Sequence, residues 1–227
     1  MELPIPDRIT AGKALSRRLL SLYKPGPELI VLALPRGGVP VAFEVAEALG
    51  AELDVMIVRK LGAPMQPELA MGAIAGDGIR VMNEDVVTSL RITDDQIESV
   101  MSRENDELER RVKAYRGDRP WPDLSGRTVM LVDDGVATGA TMFAAIDAVR
   151  ASHAAEVVVA IPIAPAETVS RLEEFADKVI CLATPEPFFS IGQWYQRFDQ
   201  VSDAHVVELL QRRWQATQNV NQRQRVE

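Results

Sequence analysis

The sequence predicts an α/β fold: a mostly parallel five-stranded sheet with helices on both faces, a hairpin–helix insertion and a C-terminal hood. Three observations predict it. Short, unbroken apolar runs recur near residues 29–34, 53–58, 128–132, 157–161 and 179–183. Continuous rather than alternating apolarity suits strands covered on both faces, as in a parallel sheet. Helical spacing of apolar residues fills the gaps between most of these runs, and one stretch, residues 59–119, interrupts the alternation.

The elements follow in order. Asp7 can cap a helix over residues 8–23, where Ile9, Leu15, Leu19 and Leu22 recur at helical spacing. Lys24-Pro25-Gly26-Pro27 stops it. The first strand runs into Pro35-Arg36-Gly37-Gly38 and then a helix to Leu49. After the second strand, residues 59–70 read as a loop containing Pro64 and Pro67. Residues 71–74 and 79–82 flank Gly76-Asp77-Gly78 as a hairpin. Thr93-Asp94-Asp95-Gln96 is a capping-box sequence. It opens a charged helix to about Tyr115 with a narrow stripe of Ile97, Met101, Leu108, Val112 and Tyr115. Residues 117–126 read as a linker. The third strand leads through a glycine-containing loop to a helix ending near Ala151. Pro165 suits the first position of the helix between the fourth and fifth strands. An aromatic-rich loop follows, and Ser202 opens the last helix. Residues 1–217 thus read as one domain, with 59–119 as its insertion, 184–217 as its hood and closing helix, and 218–227 as a frayed tail.

Composition narrows the function. The chain has 227 residues, 47% apolar and 26% charged, enough to bury a core without disulfides or a structural metal. Its net charge of −8 argues against general nucleic-acid binding, which needs a basic face. Arg110, Arg111, Lys113 and Arg116 are offset by Glu104, Asp106, Glu107 and Glu109, and read as a solvated helix face. Cys181 is the single cysteine, which suits a reducing compartment and reads as inert core. No apolar run approaches the roughly 20 residues of a membrane span, so no membrane partner is expected. The N-terminal residues lack the pattern of a secretory signal, and a cytoplasmic location is expected. The two histidines, His153 and His205, read as structural or exposed helix residues.

The stretch that carries chemistry is Val129-Met130-Leu131-Val132-Asp133-Asp134-Gly135-Val136-Ala137-Thr138-Gly139-Ala140-Thr141. A buried strand ends in two carboxylates, and a turn of small residues opens a helix. At the C-terminal end of a parallel strand, side chains face the ligand crevice. The small turn lets backbone N–H groups close on an anion, and the helix points its positive end there. Ala137, Thr138, Gly139, Ala140 and Thr141 would cradle a phosphomonoester. Asp133 and Asp134 would repel a phosphate, so they are assigned to sugar hydroxyls. A phosphate and a diol one sugar apart point to ribose 5-phosphate. The bland reading, a surface turn with a helix cap, accounts for an Asp-Asp pair but not for the whole pattern. Neither a Walker A loop nor a dinucleotide fingerprint is present.

This segment resembles the phosphoribosyl-pyrophosphate (PRPP) motif of type I phosphoribosyltransferases. Pro35-Arg36-Gly37-Gly38 and Arg59-Lys60-Leu61-Gly62-Ala63-Pro64 resemble a poorly characterised bacterial branch of that family, and the resemblance spans residues 29–183. It implies transfer of 5-phosphoribosyl from PRPP to a nitrogen base, with release of pyrophosphate. It implies that Arg36, Gly37 and Gly38 form the pyrophosphate loop, and that Arg59 and Lys60 begin a mobile catalytic loop. Glycines permit close backbone approach, and arginine supplies a planar charged fork. It also implies Mg2+, held mainly by PRPP, with Asp133 and Asp134 near its waters. Hypoxanthine-guanine enzymes of the family carry an aspartate where this chain has Ala137, so the acceptor base is left open. Phe188, Phe189, Trp194, Tyr195 and Phe198 cluster in the hood; Phe188 and Phe189 are the candidates for stacking on a base. The competing reading of that cluster is a satellite core or a homodimer contact. The alternative to an enzyme is a regulatory module that binds PRPP or a nucleotide without turnover.

Overall fold

In the computed structural model, which describes residues 2–76 and 78–224, the strand order of the main sheet is β2-β1-β6-β7-β8, and every neighbouring pair is parallel. The strands are β1 (Leu29–Ala33), β2 (Glu52–Val55), β6 (Thr128–Val132), β7 (Glu156–Ile163) and β8 (Lys178–Ala183). The unbroken apolar runs have a direct cause. Leu29, Val31 and Ala33 of β1 pack on one face, and Ile30 and Leu32 on the other. The first face is covered by α1 (Arg8–Leu20), α2 (Gly38–Leu49), α4 (Asp94–Arg116) and α7 (Asp203–Gln224). The second is covered chiefly by α5 (Ala140–Ala151), with Leu172 of α6 (Ala166–Leu172). Both sides of β1, β6 and β7 are therefore dry, as a parallel sheet requires, while the edge strand β8 stays partly exposed.

Local chemistry sets the helix ends. Asp7 caps α1 by accepting the Thr10 N–H at 2.8 Å, and that bond holds its carboxyl below the ordinary value. The helix stops at Leu20 rather than at residue 23; Ser21 caps it, and a last turn carries the chain on to Tyr23, whose N–H donates to the Leu19 carbonyl. Pro165 caps α6 from outside instead of standing first within it. Helix α7 follows Ser202, whose hydroxyl accepts the His205 N–H, and it continues to Gln224 through most of the stretch expected to fray; residues 225–227 lie outside the described residues. His153 sits in the turn after α5, with φ 58°, not on a helix.

The insertion departs most from expectation. Residues 59–70 form no open loop. They belong to β3 (Val58–Ala63) and β4 (Gln66–Ala75), which pair antiparallel, and β5 (Arg80–Met82) joins β4 as the expected hairpin. The prolines disguised this. Pairing is irregular around Gly62, and a side chain there would come within 2.4 Å of the Pro67 carbonyl oxygen. Bulged pairing of this kind accommodates proline in a strand. A short helix, α3 (Glu84–Ser89), was not expected; Asn83 caps it. The Thr93–Gln96 capping box of α4 is present.

Arg116 corrects the reading of α4 as a solvated basic face. It is buried and forked onto buried Asp54, with Nε 2.7 Å from Oδ1 and Nη2 2.9 Å from Oδ2. Two further donors reach the Arg119 and Pro120 carbonyls, and its plane lies over Trp121 at 3.7 Å. This bidentate pair ties the insertion to β2.

Candidate active site

Strand β6 ends at Val132, so Asp133 and Asp134 emerge at the C-terminal edge of the sheet. The chain then turns through residues 135–139 into α5. The Val136 N–H donates to the Ile163 carbonyl, and the Thr168 hydroxyl donates to the Ala137 carbonyl at 2.7 Å, which fixes the turn from outside. Gly139 caps the helix with φ +83°, and a Cβ there would come within 2.7 Å of the Phe143 ring. Both facts demand glycine. The turn and the first residues of α5 enclose a cavity of about 180 Å³. All five predicted cradle residues, Ala137 to Thr141, line it, together with Asp133.

The two aspartates have different surroundings. Asp133 lines the cavity, and its Oδ1 accepts the Asp134 N–H at 2.8 Å. Asp134 is 6% exposed. Its Oδ2 accepts from Arg8 Nε at 2.7 Å, and its carbonyl accepts from the Tyr195 hydroxyl at 2.6 Å. Burial pushes both carboxyls up, Asp133 further because the Asp134 charge stands beside it; the Arg8 guanidinium opposes the rise at Asp134.

The predicted pyrophosphate loop packs on these acids. A Cβ at Gly37 would lie 2.0 Å from Asp134 Oδ2, and one at Gly38 would lie 2.7 Å from the Val132 carbonyl oxygen. Neither position has room for a side chain. The Arg36 guanidinium, partly exposed, faces Asp203 at 3.7 Å.

Arg59 and Lys60 lie on β3, within a paired strand rather than at the start of a loop. Arg59 Nη2 is 2.6 Å from Glu104 Oε2 of α4, and Lys60 Nζ is 3.6 Å from Glu68. They line a second, larger cavity of about 860 Å³ with Arg103 and Arg111 of α4. Pro35 and Thr141 also line it, which places it beside the cradle.

In the hood, Phe188 packs near Trp194 with centroids 6.5 Å apart, while Phe189 is 82% exposed. Phe188, Trp194, Tyr195 and Phe198 belong to a small apolar cluster with Ile5 and Ile163. Cys181 donates its S–H to the Ala183 carbonyl, and burial pushes its pKa up to about 11. Among the described residues, no three His, Cys, Asp or Glu side chains gather into a metal site, and no helix is long and apolar enough to cross a membrane.

Sequence reasoning missed Arg8, Glu104, Asp203 and the Tyr195 hydroxyl. Arg8 stands 126 residues before its partner in the first turn of a helix, and no local pattern marks it.

The chain is similar to known proteins. A family model described as a phosphoribosyl transferase domain matches residues 3–193. Two Mycobacterium tuberculosis proteins with provisional phosphoribosyl transferase names, MT0597 (strain CDC 1551 / Oshkosh) and Rv0571c (strain ATCC 25618 / H37Rv), are each 50% identical over 206 residues, covering 91% of this chain and 46% of the relative. The chain therefore spans about half the length of the curated relatives it matches. The crystal structure of TT1426 from Thermus thermophilus superposes with a TM-score of 0.82 at 42% identity, covering 91% of this chain and 97% of that one. With the parallel sheet and the matched domain together, the chain belongs to the phosphoribosyl transferase family.

Proposed function

We propose that this chain binds PRPP and transfers its 5-phosphoribosyl group to a nitrogen base, releasing pyrophosphate. The observation that carries this reading is the cavity at the end of β6, where a small-residue turn, a helix N-terminus and the Asp133 carboxylate converge. Ala137 to Thr141 receive the 5-phosphate through backbone N–H groups and the two threonine hydroxyls. Asp133, backed by Asp134, accepts hydrogen bonds from the ribose hydroxyls. A ring nitrogen of the base forms a bond to the anomeric carbon as the bond to pyrophosphate oxygen breaks. The leaving oxygen keeps the electron pair, and the base nitrogen gives up its proton to solvent.

Gly37 and Gly38 let the backbone approach the leaving pyrophosphate closely; Arg59 and Lys60, which line the larger cavity, and Arg36, the residue after its wall at Pro35, serve as its counter-charges. Each is paired with a carboxylate in this structure, so each exchanges that partner for a phosphate oxygen. Mg2+ held mainly by PRPP would neutralise more of the leaving charge. Asp133, a hard oxygen donor at the cavity wall, is the residue suited to touch its waters. Phe188 is packed in the hood cluster, so base stacking falls to the exposed Phe189.

The test is a panel of purine and pyrimidine bases with PRPP and Mg2+, following pyrophosphate release. Base-dependent release is expected. Tight PRPP binding without release on any base would replace the transferase with a sensor, and no PRPP binding would remove both.

A further inference from the structure

The two aspartates at the end of β6 are adjacent in sequence and unequal in space. Asp133 lines the cradle, whereas Asp134 is turned into protein and lies at no cavity wall among those described. Three segments meet on Asp134. Arg8, in the first turn of α1, donates Nε–H to its carboxylate at 2.7 Å. The Tyr195 hydroxyl donates to its carbonyl at 2.6 Å. Gly37 passes so close that a Cβ would overlap Oδ2.

Arg8 is held as firmly as its partner. Its Nη1–H donates to the Asp199 carbonyl at 2.7 Å, and its guanidinium lies over the Phe198 ring at 3.9 Å. Its side chain is only 12% exposed. The backbone repeats the union. Ile5 N–H donates to the Trp194 carbonyl, and Gln196 and Arg197 N–H donate to the Ile5 and Pro6 carbonyls. The Asp7–Arg197 ion pair closes the same seam. The start of the chain and the hood segment 194–199 thus form one clasp, and Arg8 is its only described side chain bonded to both the hood and Asp134.

We propose that Arg8 is a positioning residue for the sugar site: by holding Asp134 in the clasp it sets the backbone and carboxylate of Asp133, which alone presents an acid to the ribose hydroxyls. The physical link is short. Arg8 holds the Asp134 carboxylate and Tyr195 its carbonyl, and the N–H of that same residue donates to Asp133 Oδ1, so fixing Asp134 also fixes the Asp133 side chain. A guanidinium is needed rather than any cation, because two donors must reach a carboxylate and a carbonyl from one plane. This departs from an equal sharing of hydroxyls by the two acids. It rests on the reading of the cavity as a ribose 5-phosphate site.

The experiment titrates the full chain with ribose 5-phosphate and, separately, with inorganic phosphate, by calorimetry. The proteins are wild type, Arg8→Met, Arg8→Lys, Asp134→Asn and the double variant Arg8→Met/Asp134→Asn. Arg8→Met should weaken ribose 5-phosphate about tenfold, the scale of one charge-assisted hydrogen bond, and leave inorganic phosphate within about twofold. Arg8→Lys should fall between. In the Asp134→Asn background, Arg8→Met should add nothing, because the two act as one unit. A structural role alone would weaken both ligands or lower only the melting temperature. If Arg8→Met does not fold, Arg8→Lys carries the comparison. Equal effects on the two ligands, or an Arg8 effect undiminished in the Asp134→Asn background, would overturn the proposal. Wild-type protein that binds inorganic phosphate but gains nothing from the sugar would overturn the ribose reading itself, a distinct failure.

Discussion

The cradle and the basic flank lie side by side and are built on opposite principles. The cradle has no cation among residues 135–142; its donors are amides and hydroxyls held by a buried strand, a helix, a bond from the Thr168 hydroxyl and a bond to the Ile163 carbonyl. The flank is made of long cations, Arg36, Arg59 and Lys60, each resting on a carboxylate of its own protein. The cradle is held by its own protein contacts, so on the proposed reading a phosphate bound there costs little reorganisation. On the same reading the flank has to exchange partners. The exposed Arg36 and Lys60 pairs are worth only about 0–1 kcal/mol, so their exchange is cheap and sensitive to salt, whereas the Arg59–Glu104 pair is more buried. A group present throughout a reaction suits the first construction, and a group that departs suits the second.

That contrast can be broken or sharpened. The largest effect is expected at the anchor of the flank. Arg116→Met strands Asp54 as an unpaired buried charge, and should lower unfolding free energy by about 3–5 kcal/mol in denaturant titration. The cradle touches neither residue, so protein that remains folded should still bind phosphate. Next comes Gly38→Ala, which forces a methyl to within 2.7 Å of a β6 carbonyl oxygen. Overpacking of about 1–3 kcal/mol should appear in stability, with PRPP affinity falling more than tenfold by calorimetry. Thr138→Ala should leave stability unchanged and weaken phosphate by roughly tenfold, the loss of one donor to a charged acceptor. The smallest effect belongs to Glu104→Gln. It frees Arg59 from a partly exposed pair, and should tighten pyrophosphate by no more than about fivefold, less at high salt.

Asp133 supplies a test by pH. Its carboxyl is raised well above the ordinary value, by burial first and by the Asp134 charge second. A raised acid stabilises the fold below its unfolded pKa, and loses that contribution as pH rises through the folded value. The ionised carboxylate is therefore a burden on the fold at neutral pH. Asp133→Asn should melt at a higher temperature than wild type at pH 7, with the gap narrowing as pH falls toward the carboxylate range. The same variant should lose sugar binding, which would mark the acid as kept for function.

Much of this was legible in the sequence. Runs such as Leu29 to Leu34 and Val129 to Val132 are apolar on every residue because both faces of the sheet are covered. The cradle is contiguous in sequence, so its pattern survives without a fold. The flank is not. Glu104 lies 45 residues from Arg59, and Arg8 lies 126 from Asp134. Arg116 looked like its exposed neighbours on α4 until Asp54 was placed opposite it. Pro64 and Pro67 concealed a bulged hairpin, since irregular pairing spares the hydrogen bonds that proline cannot make. Patterns within a dozen residues were readable; partnerships made by tertiary packing were not.

Most depends on the cradle receiving the phosphate of a ribose 5-phosphate. The direct measurement is a titration of that compound into isotopically labelled protein, following backbone amide resonances. At saturation, the amides of Ala137 to Thr141 should shift together, and more than those of Arg59 and Lys60. Saturating binding with those five amides unmoved would contradict it.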